Sequence, residues 1–582
     1  MARKPPTRTV IEGADRSRRR RSSKEQGERG GAMNAKELGG LSRRSFLKGA
    51  GVAAAAVAGS AALAGCASGT GASQDWMPKS WDYECDLLVV GYGGAGMWAS
   101  LIGADECGQQ VLVLEKAPVR GGGNSSINNG EFAIINDAEG MRQYWHEMTQ
   151  DVDTPSAVID AWIDEGLRNC EYADKYELEY DINEKAIAGT IPEYSFLPGG
   201  EGCQSIADPP GFGMASFEIL DQKRKDLGVE VLFDCHDEHL IQNPDTKEIV
   251  GCTTMIGSEE KTVKARKGVI LCTGGFEFNE DMKRKYLKCY PFKFEGWKYN
   301  TGDGIRMTEE VGGKLWHMGM AGAMYGMWTR DPENDFLILI MPSDQTFIYT
   351  DRLGKRWVDE MRIGSPHNGW HAFTHFSDEI CDYDHCPSWC VFDQTLFESG
   401  PMSTRQGDWF ECGNFTTMLP DELRDWEGWS DDNQAEVDKG WIIKADTLEE
   451  LAAKMKAIDK WMDADTLKAT VDTWNQVCEN GEDPEFHRSA ATLNPLNNPP
   501  FYAYTVYPGS CSTLGGAMKN EHGQVLDVFA EQPIPRLYGA GSFGNIHSHT
   551  YGITGGNVAE NMIWGRISAR HAASLDAWDE KK

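Results

Sequence analysis

Asp86-Leu-Leu-Val-Val90 runs into Gly91-Tyr-Gly93-Gly94-Ala95-Gly96, and one helix length later comes Val111-Leu-Val-Leu-Glu115. That order reads as a buried parallel strand, a tight glycine turn, a helix start and a second strand ending on an acid. Gly91 allows the turn, Gly93 lets backbone approach a pyrophosphate, and Gly96 lets helix and strand pack closely. The pyrophosphate then rests on N–H groups at the helix N-terminus, around Gly94 and Ala95. Glu115 lies 19 residues beyond Gly96, where a carboxylate can accept hydrogen bonds from ribose hydroxyls, and Lys116 follows it. A glycine turn, Gly121-Gly122-Gly123-Asn124-Ser125, and a second apolar strand running into Thr273-Gly274-Gly275 offer more backbone to the same dinucleotide.

Two other clusters carry chemistry-bearing types. His367-Asn-Gly-Trp-His371-Ala-Phe-Thr-His375 spaces three histidines by four, which on a helix shares one face. Such spacing can bind a metal, but no carboxylate or cysteine completes the set. A helix bordering an active site, with His367 or His371 as proton donor, is preferred, and no metal is expected. Cys381, Cys386 and Cys390, with Cys412 beyond, offer an iron–sulfur reading, although their spacing matches no standard run and disulfides or free thiols serve equally. Cys107, Cys170, Cys252 and Cys272 are scattered singly, as small buried hydrophobes are. No Cys-x-x-Cys-His occurs to attach a c-type haem.

At 582 residues the chain can build a substantial core and two domains. A targeting region comes first. Ser42-Arg43-Arg44-Ser-Phe46-Leu47-Lys48 is a twin-arginine motif, Gly49 to Gly65 is a mild Ala/Gly run too short for a membrane span, and Leu63-Ala-Gly-Cys66 reads as a lipoprotein cleavage box. The expectation is export, with lipid on Cys66 tethering the protein to the outer face of the cytoplasmic membrane. Residues ahead of Met33 are basic and unlike a signal, so a misplaced start codon is the preferred expectation. The formal charge is −32, and Lys and Arg are concentrated in the leader, so the remainder is strongly acidic. That argues against nucleic acid or direct adhesion to anionic lipid, and favours docking to a basic partner.

The elements that position the motifs follow in order. Helical spacing marks Met141, Trp145 and Met148, then Val158, Trp162 and Leu167. The stretch from Ile191 to Gly200 breaks periodicity and is a loop. A helix over Phe217 to Leu227, a strand over Val229 to Phe233, a meander around 249–256 and 261–265, and an apolar strand over 268–272 come next. Residues 280–497 change character, becoming rich in Trp, Met and charge, with helices at 281–287 and 449–480. Strands and glycine turns return at Pro499, and a last helix covers Asn557 to Ala573. The expected fold is α/β, a Rossmann-like domain built from both chain ends (83–279 and 498–582) with an inserted α+β capping domain (280–497). Residues 1–65 are the signal region and 66–82 a linker.

Taken with Cys272-Thr-Gly-Gly-Phe-Glu-Phe-Asn279, Thr301-Gly-Asp303-Gly304, Gly354-Lys-Arg-Trp-Val-Asp-Glu360 and Leu537-Tyr-Gly-Ala-Gly541, the glycine loop and Glu115 carry a wider likeness. The chain resembles the FAD-dependent fumarate reductase and 3-ketosteroid dehydrogenase superfamily over most of residues 84–575. The resemblance implies FAD with its N5 facing a cleft between the two domains. It adds Asp303, Gly541, Gly556 and Asn557 to the cofactor contacts, and Asp237 as a backbone contact to adenine. Fumarate-type sites carry arginines that clamp a dicarboxylate. Here Ile553 stands at one such position, Gly364 at the other with Arg362 two residues early, and Ser512-Thr-Leu-Gly-Gly516 replaces a His-Thr-Met-Gly-Gly stretch. The ketosteroid branch instead implies Tyr551 and Gly555, in His549-Thr-Tyr551-Gly-Ile-Thr-Gly555, as holders of a keto oxygen. It implies a second tyrosine at Tyr194, in Pro192-Glu-Tyr-Ser-Phe-Leu-Pro-Gly-Gly200. The branch's third tyrosine is absent, its place falling near Gly364, Ser365 and His367.

The resulting expectation is an exported, lipid-anchored FAD oxidoreductase that reduces the C=C bond of a steroid- or lactone-like α,β-unsaturated carbonyl compound. With no haem site or added FMN domain, electrons are expected from a separate membrane partner such as a cytochrome or quinol-linked protein. Two alternatives stand beside it. One is a respiratory reductase of a small unsaturated acid of fumarate, urocanate or acrylate type, with Arg362 or Arg356 on the carboxylate. The other is a flavin-bearing electron-relay lipoprotein with no substrate of its own.

Overall fold

Strand Tyr83–Val90 is the axis of the first sheet. Its last four residues, Leu87 to Val90, are apolar and buried, and pair in parallel with Val111–Leu114 on one side and Glu259–Leu271 on the other. A parallel strand covered on both faces needs no polar alternation, which explains the unbroken apolar run. In the computed structural model, which describes residues 76–580 except 151, 153, 185–190, 295, 329–336, 341, 343, 364–366 and 404–428, this sheet has eight strands. Its main path runs Gln524–Leu526, Pro533–Gly539, Glu259–Leu271, Tyr83–Val90, Val111–Leu114, Glu230–Leu232. The signal region, Cys66, Cys412, Gly364 and Ser365 lie outside the described residues. Among the described residues no helix is long and apolar enough to cross a membrane.

The meander segment 261–265 and the apolar strand 268–272 are one strand of 13 residues. Its first half alternates and pairs antiparallel with Ile249–Ile256, while its second half is buried and sits between parallel neighbours. One strand passes through two environments, so its period changes midway. Helix Gly94–Asp105 packs against the C-terminal helix Gly556–Ala573, bringing the two ends of the chain onto one sheet. Inaccessible Arg566 ties that last helix to Glu165 at 2.5 Å and Asn169 at 2.8 Å.

The inserted region forms a second, antiparallel sheet in the order Leu337–Ile338, Ala321–Trp328, Phe501–Thr513, Ser388–Asp393, Phe347–Thr350. The division at 498 is corrected by this pairing, because Phe501–Thr513 hydrogen-bonds along its length to inserted strands. The chain rejoins the first sheet only at Gln524. The single helix expected over 449–480 is two, Leu448–Ile458 and Ala464–Asn480. Asp459 leaves helical backbone to bind Arg352 at 2.7 Å, and Asp463 caps the second helix through the Thr466 amide. The histidine helix is also corrected. Only Gly369–Phe373 is helical, as a short 3-10 turn, so His367, His371 and His375 do not share a face.

The inserted domain is anchored by charges taken out of water. Glu360 is buried against Arg356 at 2.8 Å and Arg488 at 3.1 Å, and Arg356 also reaches Asp483 at 2.8 Å. Arg488 donates further to the carbonyls of Phe347 at 2.8 Å and Gln345 at 2.5 Å. Removing one member strands a carboxylate in low dielectric. Arg488→Met is expected to lower stability by about 3–5 kcal/mol, read as a shifted urea midpoint with unchanged slope.

Candidate active site

A solvent-open cleft of about 1440 Å³, its open mouth included, lies at the carboxyl ends of the central parallel strands. Gly91, Gly93, Gly94 and Ala95 line it from the glycine turn, Glu115 and Lys116 from the end of the second strand. Gly123, Asn124 and Ser125, Thr273 and Gly274, Asp303, Gly541 and Asn557 complete the portion assigned to cofactor. Gly91 has φ +98°, and a Cβ there would stand 2.4 Å from the Cys272 carbonyl oxygen. Gly96 is not on the wall but behind it, where a Cβ would meet the Gly91 carbonyl oxygen at 2.0 Å. Gly122, Gly275 and Gly556 likewise stand behind the wall; the Gly122 amide bonds the Tyr92 carbonyl at 2.8 Å and the Gly556 amide the Ile553 carbonyl at 2.9 Å.

Buried Glu115 accepts the Tyr92 and Ala117 amides, each at 2.8 Å, one on each oxygen. Burial pushes its carboxyl up to about 7 despite those bonds. Lys116 is held by Thr301 at 2.5 Å and Asp303 at 2.8 Å. Ser125 Oγ accepts from the Gly94 amide at 3.2 Å and from Asn561 at 3.0 Å, which joins the two chain ends across the turn. The Asn124 side chain accepts the Trp297 amide at 2.7 Å and donates to buried Glu277 at 3.3 Å. Asp237 is a correction. Expected to offer its backbone, it is not among the residues lining the cavity; it adopts φ 53° at a register shift, and its exposed side chain has Arg306 3.4 Å away. The neighbouring Glu238, missed in the sequence, lines the cavity instead, its carboxyl raised to about 7 by burial.

At the other part of the wall Tyr551, Gly555 and His367 come together. The Tyr551 hydroxyl oxygen accepts the Asn557 amide at 2.8 Å, in the first turn of helix Gly556–Ala573. Gly555, with φ +75°, is the residue before that helix, and a Cβ on it would stand 2.7 Å from the Ala133 amide nitrogen. His367 packs on Tyr551 with ring centroids 4.9 Å apart, and its Nδ1 bonds Glu193. Glu193 was missed in the sequence, as was Asn368, which binds both sides: its amide donates to Glu193 at 3.1 Å and to the Tyr551 carbonyl at 2.5 Å, and its oxygen accepts the Tyr551 amide at 2.9 Å. Behind Tyr551 stands inaccessible His547, stacked on Trp145 at 5.1 Å, its imidazole pushed down to about 3 by burial and held neutral. These partners come from loops that carry no periodic signal; only their polarity amid apolar sequence marked them.

Three further expectations are corrected. Tyr194 does not line the cavity; its hydroxyl bonds Thr550 at 2.5 Å, one residue from Tyr551. Arg362 points outward, 81% exposed with Asp359 3.9 Å away, and Arg356 is committed to Glu360 and Asp483. His371 is half-buried off the wall, its imidazole pushed down to about 4 by desolvation and by Lys288 and His549. The cysteines reported for a cluster do not converge among the described residues. Cys381 is exposed, Cys386 donates to the Pro291 carbonyl at 3.3 Å, and Cys390 is fixed within strand Ser388–Asp393.

Comparison with known proteins agrees with this geometry. The model of the FAD binding domain family matches residues 86–558. A digoxin reductase of Eggerthella lenta is 25% identical across 93% of this chain and 98% of its own. A 3-oxosteroid 1-dehydrogenase of Mycobacterium tuberculosis is 27% identical, covering 84% and 98%. Among solved structures, the 3-ketosteroid Δ1-dehydrogenase of Sterolibacterium denitrificans superposes with TM-score 0.67 over 84% of this chain and 99% of that one, at 21% identity. The chain belongs to the FAD binding domain family and is an FAD-dependent oxidoreductase of CH–CH groups.

The residues present fit FAD. Gly93 supplies no side chain of its own to cap its helix, Glu115 keeps lone pairs beyond its two amides, and the buried Thr273 hydroxyl on the wall has no protein partner. Glu115, Glu238 and Glu277 all titrate near 7 rather than at their ordinary 4.5. Between those values the folded flavin-free protein retains protons that the unfolded chain has lost, so its stability falls as pH rises through that window. Thermal midpoints of the apoprotein are expected to drop from pH 5 to 7.5, and Glu115→Gln with Glu238→Gln to flatten the fall.

Proposed function

We propose that this protein reduces the C=C bond of an uncharged α,β-unsaturated carbonyl compound of steroid or lactone size. One observation carries the reading: among the described residues lining the cavity the cation is Lys116, already paired with Asp303, and no arginine is present to clamp a carboxylate. Trp297, Tyr299 and Ile127 give the same wall apolar surface. Relatives named for digoxin and for 3-oxosteroids support a substrate of that bulk.

FAD, when bound, supplies the hydride that reaches the β-carbon. The chain's own groups deal with the charge this creates. Tyr551, polarised by the Asn557 amide, donates its O–H to the carbonyl oxygen, and the helix N-terminus at Gly555 adds positive potential there. The Glu193 carboxylate accepts from His367 Nδ1 and so supports the imidazolium form, whose Nε2–H gives its proton to the α-carbon and leaves a neutral ring with hydrogen on Nδ1. Neutral His547 keeps the space behind Tyr551 dry.

Export and lipid attachment at Cys66 remain part of this reading, supported by the twin-arginine motif and the Leu63-Ala-Gly-Cys66 box. A membrane-bound cytochrome or quinol-linked protein then supplies the electrons. Palmitate labelling that is lost in Cys66→Ser is the expected outcome for the anchor.

The substrate reading is tested by anaerobic reoxidation of dithionite-reduced protein. An enone of steroid size is expected to restore the oxidised flavin spectrum, and fumarate is not; the reverse pattern overturns the proposal. Tyr551→Phe is expected to slow the recovery about 100-fold or more while FAD stays bound. His367→Gln should remove a pH-dependent limb from the same rate.

A further inference from the structure

Asp384, nearly buried, stands between two histidines away from the cavity. His375 Nδ1 lies 2.7 Å and His385 Nε2 3.7 Å from the same oxygen, Asp384 Oδ1. The imidazoles stack with centroids 4.9 Å apart and planes 23° from parallel. One ligand atom from each of the three residues falls within 4.8 Å of the other two. Neither ring is an idle surface side chain. His385 is sandwiched on Trp357 at 4.0 Å, and its Nδ1 is 3.0 Å from the Ala372 carbonyl oxygen. A carbonyl only accepts, so Nδ1 carries the hydrogen, and the neutral ring aims its Nε2 lone pair at a carboxylate. Asp384 Oδ1 thus has His375 Nδ1 at hydrogen-bond distance on one side and the His385 lone pair on the other, and a cation bound by all three would satisfy both. Arg352, whose backbone amide bonds the Asp384 carbonyl, keeps its guanidinium on Asp382 and Asp459, each at 2.7 Å.

We propose that His375, Asp384 and His385 form a binding site for a borderline divalent cation, with zinc the best match. Two imidazole nitrogens and one carboxylate oxygen suit zinc, whereas magnesium and calcium prefer oxygen alone. Bonds of about 2.0–2.1 Å in a tetrahedron place ligand atoms roughly 3.3 Å apart. The present 2.7 and 3.7 Å bracket that spacing, so small side-chain rotations admit the metal. Exposed His375 leaves the fourth position to water. The Ala372 carbonyl on His385 is the outer partner that fixes a ligating ring. The metal closes the base of a hairpin held by only two residue pairs, Phe376 with Tyr383 and Ser377 with Asp382. The chain segment it fixes leads directly back, through Gly369–Phe373, to Asn368 and His367. Its role is structural support of that part of the active-site wall.

The test uses purified FAD-loaded protein, stripped with a chelator and titrated with zinc sulfate against a chromogenic zinc indicator. One zinc per chain is expected, a cobalt-substituted sample should show visible d–d bands, and magnesium should compete poorly. Asp384→Asn and His385→Ala should each weaken binding about 100-fold or more, as should the exposed His375→Ala, which spares the core. Flavin absorbance and the melting midpoint in chelator report that each variant is folded. The proposal is overturned if the stripped protein takes up no zinc, if uptake is unchanged in His375→Ala, or if Cys381→Ser rather than the histidine variants abolishes it.

Discussion

Two helix N-termini, drawn from opposite ends of the polypeptide, face one cavity, and most of the molecule serves to hold them there. The first belongs to Gly94–Asp105 and the second to Gly556–Ala573. Each presents first-turn backbone and the positive end of a helix dipole. The wall between them carries Glu115, Glu131, Glu238 and Asp303, so its side chains supply little positive charge. An anionic pyrophosphate and a developing enolate are both handled by backbone. That explains the glycines better than any side-chain inventory does: amides can reach a ligand only where no Cβ intervenes.

Such a site is only as good as the packing of its two helices. They meet directly, Ser125 bonds both the Gly94 amide of the first and Asn561 of the second, and Arg566–Glu165 fixes the second to helix Ser156–Gly166. The reacting end needs a second constraint, since Tyr551 sits on a loop. Asn368 supplies it by bonding both faces of the Tyr551 backbone and the carboxylate that orients His367. One buried amide thereby fixes a donor of a hydrogen bond and a donor of a proton relative to each other. A buried side chain with all its polar atoms satisfied in this way specifies a single arrangement.

The nucleotide half was legible because its chemistry is local. A strand, a turn and a helix start must be consecutive, so Gly91 to Glu115 state their purpose within one short segment. The α/β class and the inserted region followed from the same logic. What could not be seen were features made by tertiary pairing. Strand Phe501–Thr513 belongs to the second sheet because of partners more than a hundred residues away. Asp237 and Glu238 are adjacent, and a single turn with φ 53° decides which faces the cavity. The spacing of His367, His371 and His375 suggested a helical face, but the helical backbone there is a 3-10 turn of five residues, Gly369–Phe373. Glu193 and Asn368 had no spacing to betray them, since each lies in a loop and meets the other across the fold.

The balance of charge also bears on what the cavity can accept. A bidentate arginine contact stabilises a carboxylate by charge and shape together, and costs dearly when the ligand lacks that charge. A phenol O–H beside a helix terminus behaves differently. It is satisfied by a neutral carbonyl in the ground state and strengthens as negative charge gathers on oxygen, which is the condition for catalysis rather than tight binding. An unsaturated acid would bring its full charge in beside Glu115, Glu131, Glu238 and Asp303 with Lys116 already taken. A neutral enone brings none until hydride moves, and by then the developing charge is on the one oxygen that Tyr551 holds.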